Sequence, residues 1–132
     1  MNGPGALILA AALVSGGARA SCGPGLHNVT TAQIFFGLDV GADREIGASE
    51  WRSFLDAEVT PRFPDGLSVW DVAGQWKDPA GQITREPAKA LLIVLSGAPG
   101  EDARLKSVID AYKSRFNQQS VLLLEQTGCA AF

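Results

Sequence analysis

The sequence is poor in the residues that bind metals and attack substrates. Its 132 residues include one histidine, two cysteines, one methionine and one tyrosine. An ordinary zinc set of four nitrogen and sulfur ligands cannot be assembled from His27, Cys22 and Cys129, so no metal site is expected. A Ser-His-Asp arrangement would have to use His27, and nothing in the sequence positions it. No Gly-x-Ser-x-Gly elbow, Walker loop or dinucleotide fingerprint occurs, and no cofactor is expected. Positive charge is also scarce, with 11 Lys and Arg against 14 Asp and Glu and a net charge of −3, which argues against a nucleic-acid partner. No apolar stretch is long enough to cross a bilayer, which needs about 20 residues. The length fits a single domain.

What is present first concerns destination. Ala6–Val14 (ALILAAALV) has the length of a signal-peptide core, and Ala18-Arg19-Ala20 has the small-x-small form of a cleavage site. The expectation is a signal peptide over residues 1–20, export to the periplasm or medium, and one α+β domain over residues 21–132. Two alternatives stand beside it. The segment can be a buried N-terminal helix, or Cys22 can carry a lipid, although Arg19 occupies the place where a lipobox wants Leu.

The rest of the chain is punctuated by Gly and Pro. Val29–Leu38, rich in β-branched and aromatic residues, predicts a first strand. After a loop at Gly41–Gly47, Ser49 is a candidate helix cap. Trp51, Phe54, Leu55 and Val59 follow at helical spacing, and Pro61 ends the helix. Pro61–Gly66 reads as a turn, Leu67–Trp76 as a second strand, and Asp78-Pro79-Ala80-Gly81 as a type I hairpin turn. Lys89–Leu95 is the core of a third strand. Pro99–Asp102 opens a second helix with Leu105, Val108, Ile109, Tyr112 and Phe116 on one face. Ser120–Glu125 is a fourth strand. The order β-α-β-β-α-β predicts a ferredoxin-like fold, a four-stranded antiparallel sheet with both helices on one face.

Several segments together resemble a bacterial family of small exported proteins, the domain of unknown function 3574. They are Thr31–Leu38 (TAQIFFGL), Glu50-Trp51, Thr60–Gly66 (TPRFPDG), Gly74-Gln75-Trp76, Arg85-Glu86-Pro87 with Lys89, Ala111-Tyr112-Lys113 and Gln119–Leu122. The resemblance implies a single exported domain. It brings no assigned activity, so it supplies no catalytic residues.

The residues themselves suggest a ligand site on the hairpin. With Asp78–Gly81 as the loop, Lys77 pairs with Gln82, Trp76 with Ile83 and Gly74 with Arg85. Trp76 and Arg85 then share a face, and Lys89 joins them if Pro87 does not break the alternation. An aromatic ring beside two cations suits a small anionic ligand. Arg62 is a further cation, placed before the second strand. The competing reading has Trp76 packing on the ribbon while Arg85–Glu86 and Arg62–Asp65 interact locally.

Three functional classes remain open on these residues. The leading one is a non-catalytic exported binding or interaction domain, favoured by the lack of a positioned nucleophile or metal set. Another is a small enzyme using Asp71, Glu86 or Tyr112 for proton transfer, with Arg62 or Arg85 stabilising charge. The third is a structural assembly subunit.

Two further expectations concern the whole chain. Ala90–Leu95, Val121–Leu124 and Ile34–Phe36 are apolar on both faces, yet two helices cover only one. The other face is expected to form a homodimer, unless the Val72–Pro87 hairpin or the chain ends fold back over it. Cys22 and Cys129 fall at the same end of the sheet and are expected to form a disulfide, with free thiols on the two tails as the alternative.

Overall fold

The computed structural model describes residues 21–132, so the expected signal peptide and its alternative as a buried helix lie outside the described residues. The elements are β1 (His27–Gly37), β2 (Asp39–Val40), β3 (Arg44–Glu45), α1 (Ala48–Phe54), β4 (Ser68–Lys77), β5 (Ile83–Leu95), α2 (Glu101–Phe116) and β6 (Leu122–Ala130). A π-helical turn over Leu55–Val59 continues α1. The main sheet is antiparallel in the order β4-β5-β1-β6, with β2 and β3 forming a separate small ribbon. This is the ferredoxin-like arrangement expected, with a two-stranded ribbon in place of the simple loop at Gly41–Gly47.

Side chains alternate across each strand, and directly paired residues share a face. Ala32, Ile34 and Phe36 on β1 therefore stand with Leu91, Ile93 and Leu95 on β5. All six are buried, and they form one core with Trp51, Phe54, Leu105, Val108, Tyr112 and Phe116 of the two helices. At its centre lies an aromatic cluster. Tyr112 has ring centroids 4.6 Å from Phe36, 4.9 Å from Phe116 and 5.0 Å from Phe54. Its hydroxyl donates to the Gly37 carbonyl at 2.7 Å, which satisfies the phenolic group taken into this core.

The helix boundaries differ from the sequence expectation in one place. Gly47, not Ser49, caps α1, and Glu50 reaches back from the first turn to accept the Gly47 N–H at 3.0 Å. The same carboxylate accepts from Arg44 at 2.9 Å. These bonds, the Gly47 one foremost, hold the Glu50 carboxyl below the usual range. Helix α2 ends at Asn117, whose left-handed backbone (φ 52°) lets the Gln118 N–H return to the Lys113 carbonyl.

Cys22 and Cys129 form a disulfide, with Cα atoms 5.7 Å apart across a sequence separation of 107. It ties the segment before β1 to the last residues of β6, where Asn28 pairs with Cys129 in the ladder. The Cys22 sulfur is thus committed to the bridge, and the lipid-bearing alternative at that residue does not apply. Such a bond points to an oxidising compartment. Among the described residues no helix is long and apolar enough to cross a membrane.

Candidate functional site

Strands β4 and β5 outrun the rest of the sheet. The β1 partner of β5 ends at Gly37 opposite Ala88, so Ile83–Pro87 pair with β4 alone. Ala73–Pro87 is therefore a two-stranded arm that leaves the body of the domain. Pro87 marks the junction. Its carbonyl accepts the Leu38 N–H at 3.0 Å, and its missing N–H would face that same side, beyond the last β1 pair.

The turn at the tip corrects the expected register. The Gly81 N–H donates to the Asp78 carbonyl at 2.9 Å, as a type I turn requires. Gly81 then adopts a left-handed conformation (φ 83°) and inserts one more residue, so Asp78 pairs with Gln82. The Asp78 carboxylate fixes this by accepting the Gln82 N–H at 2.8 Å. The pairs are consequently Lys77 with Ile83, Trp76 with Thr84, Gln75 with Arg85 and Gly74 with Glu86. A slip of one residue exchanges the faces. Trp76 and Arg85 stand on opposite sides of the ribbon, and the expected aromatic–cation pair does not form.

Lys89 does share a face with Arg85, because the ladder runs through Pro87 without a break. It is the helix-covered face, and there Lys89 forms an ion pair with Asp71, directly opposite it. Arg85 stands farther out, across from Gln75, in an open cleft of about 670 Å³ that also takes in Ala73 and Pro87. Among the described residues Arg85 has no ion-pair partner, and the expected local pair with Glu86 is absent. Arg62 lies elsewhere, in the turn after the π-helical segment, and pairs with Glu58 at 2.8 Å rather than with Asp65.

Among the described residues no hydrogen bond joins the three acids considered for proton transfer, although Asp71 and Glu86 line the same cleft. Asp71 is held by Lys89. Tyr112 is fully buried and its hydroxyl is engaged by Gly37, while burial and then the nearby Glu86 charge raise its pKa. Glu86 lies on the other face, over Gly37, where a Cβ would stand 2.8 Å from either carboxylate oxygen. Burial raises the Glu86 carboxyl above the usual range, against a bond from the Asp39 N–H and together with the Asp39 charge.

That other face of the sheet is the feature the sequence pattern foretold. By register it carries Phe35 and Gln33 on β1, Trp70, Val72 and Trp76 on β4, Ala88, Ala90, Leu92 and Val94 on β5, and Leu122 and Leu124 on β6. No helix covers it. Trp70 is 41% exposed, Trp76 48%, Val94 38%, Leu122 53% and Leu124 41%. Among the described strand residues its only ionisable side chains are His27 and Glu86, at opposite ends of the sheet. Among the described residues, neither the C-terminal tail nor the hairpin covers these exposed side chains.

Fold and site together define a small α+β domain with one apolar, nearly uncharged sheet face. The chain belongs to the family described as a protein of unknown function (DUF3574), whose model matches residues 31–132. No curated protein matches the sequence. Among solved structures it is similar to a phage SAM lyase in complex with S-methyl-5′-thioadenosine, at 19% identity and a TM-score of 0.60, covering 86% of this chain and 95% of that one. It is also similar to CutA from Synechococcus elongatus PCC7942, at 12% identity and a TM-score of 0.52, covering 80% and 85%. At these identities the likeness is one of fold.

Proposed function

We propose that the protein is an exported interaction domain that associates with a second copy of itself through the open sheet face. The observation that carries this reading is the gathering of Trp70, Trp76, Val94, Leu122 and Leu124, five exposed large apolar side chains, on one face. An apolar patch of more than a few hundred Å², roughly, is uncommon on a soluble monomer. A second copy is the natural occupant because the face is self-complementary: it offers apolar area and almost no charge to repel its like. The Cys22–Cys129 disulfide supports export, as does the apolar segment Ala6–Val14 followed by Ala18-Arg19-Ala20.

Sedimentation velocity of the exported chain at micromolar concentration tests this. The expected result is a dimer that Leu122→Glu converts to a monomer with unchanged circular dichroism. A wild-type chain that sediments as a monomer overturns the reading.

A second reading concerns the arm. Arg85 forms no ion pair among the described residues, although Asp71 and Glu86 also line its cleft, and this favours a small anionic ligand there. The Trp76 ring takes no part, since it faces away. Calorimetric titration with citrate separates this reading from bare assembly, with Arg85→Gln abolishing the heat of binding if the cleft is the site.

A further inference from the structure

At the end of the sheet away from the arm, the turn Pro61–Gly66 folds against the last residues of β5 and the first turns of α2. A cavity of about 310 Å³ opens there, lined by Arg62, Phe63, Asp65, Ser96, Glu101 and Arg104, among others. We propose that Arg62 and Arg104 form an oxyanion-binding site in this cavity, independent of the sheet face and of the arm.

The argument is an inventory of donors. Each arginine presents five N–H groups in a planar fork. Arg62 spends one nitrogen: Nη1 donates to the Glu58 carbonyl at 2.6 Å and to Glu58 Oε2 at 2.8 Å. Its Nε and Nη2 meet no acceptor among the described residues. Arg104 likewise uses Nη1, on the Pro99 carbonyl at 3.3 Å. Its Nη2 stands 4.0 Å from Glu101 Oε1, beyond hydrogen-bonding distance. Its Nε is buried and meets no acceptor among the described residues. A buried donor without an acceptor is costly and seldom left so. The Nε–Nη2 edge is the one on which a guanidinium grips a carboxylate or phosphate with two parallel bonds.

The neighbours leave that edge without an acceptor among the described residues. The Phe63 ring lies 5.8 Å from the Arg104 guanidinium carbon and supports the plane of the group. Glu101, the nearest acid, is already occupied. Its Oε1 accepts from the Ser96 N–H and hydroxyl, both at 2.8 Å, and its Oε2 accepts from the Gly97 N–H at 2.9 Å. It is 8% exposed and cannot swing onto the Arg104 fork without abandoning three bonds. Asp65 also lines the cavity, so the site selects by fork geometry and not by a large positive field. It suits a small oxyanion group, planar carboxylate or tetrahedral phosphate.

Arginine side-chain NMR on the labelled exported chain reads the site directly. Inorganic phosphate and, separately, acetate are titrated at constant ionic strength, with chloride as the control. The Nε–H signals of Arg104 and Arg62 are expected to shift together and to saturate with at least one oxyanion, while that of Arg85 stays in place. Saturation with phosphate alone assigns a phosphate-bearing ligand, and with acetate a carboxylate. Arg104→Lys and Arg62→Lys, which keep the charge but remove the fork, should each weaken binding about tenfold or more. Shifts that rise linearly without saturating, or that chloride reproduces, overturn the proposal. So does a titration that both lysine variants leave unchanged.

Discussion

Strand β5 passes through two environments, and the contrast explains much of the molecule. From Ala88 to Leu92 it lies between two neighbours, and beyond that it keeps β1 beside it and one face under the helices, so that Leu91, Ile93 and Leu95 are all buried. From Ile83 to Pro87 it has β4 alone for company, and Ile83 on one face and Trp76 on the other are both about half exposed. In the body, burial dictates register, because a slip would carry apolar side chains into water. In the arm no such penalty operates, and the turn decides. The difference between a type I turn alone and the same turn followed by a left-handed Gly81 is one residue, which moves Arg85 from one side of the ribbon to the other.

The sharpest way to break the comparison is truncation in each environment. Phe36→Ala removes a ring packed against Trp51, Phe54 and Tyr112, and should cost about 3–5 kcal/mol in urea unfolding. Trp76→Ala, on the arm, should lie at the other extreme, within about 0.5 kcal/mol of wild type for the isolated subunit. A large loss there would show that the arm is packed in a way the described contacts do not contain.

Between these extremes stand two intermediate effects. Removing the disulfide through Cys22→Ser with Cys129→Ser should cost about 2–4 kcal/mol, because the unfolded chain regains the freedom of a long loop. Thermal unfolding with and without reductant checks it, and mass analysis without reductant should find both sulfurs paired. Glu101→Gln should cost about 1–3 kcal/mol at neutral pH, since charged acceptors are stronger than neutral ones. Burial acts to raise the Glu101 carboxyl, but the Ser96 and Gly97 bonds and the Arg104 charge outweigh it and hold the group below the usual range. The sign follows from that depression. The ionised group stabilises the fold fully above the ordinary carboxylate pKa, and the contribution disappears as pH falls through the lowered folded value. Urea midpoints of wild type and Glu101→Gln should therefore converge in acid.

The body of the fold was legible because its pattern is redundant. The β-branched run at Val29–Leu38, the stripe Trp51-Phe54-Val59 and the α2 face from Leu105 to Phe116 each state their element by periodicity alone. The open face was legible for the same reason, since Leu91-Leu92-Ile93-Val94 is apolar in both directions. The first half of β5 was not, because Thr84, Arg85, Glu86, Pro87 and Lys89 carry no such pattern and Pro87 discourages a strand. Nor was the companionship of Arg62 and Arg104, which are far apart in sequence. Arg104 sits at i+3 from Glu101 on a helix, a spacing that reads as a surface ion pair. Nothing in the sequence says that Ser96 and Gly97 claim the glutamate first.

The central claim is that the open face meets another copy of the chain. Isotope-filtered nuclear Overhauser spectra on an equal mixture of labelled and unlabelled exported protein test it most directly. The account predicts intermolecular contacts from the methyl groups of Val94, Leu122 and Leu124, and from the Trp70 ring, and none from core positions such as Val108. Intermolecular contacts confined to the helix side of the molecule, or none at millimolar concentration, would contradict it.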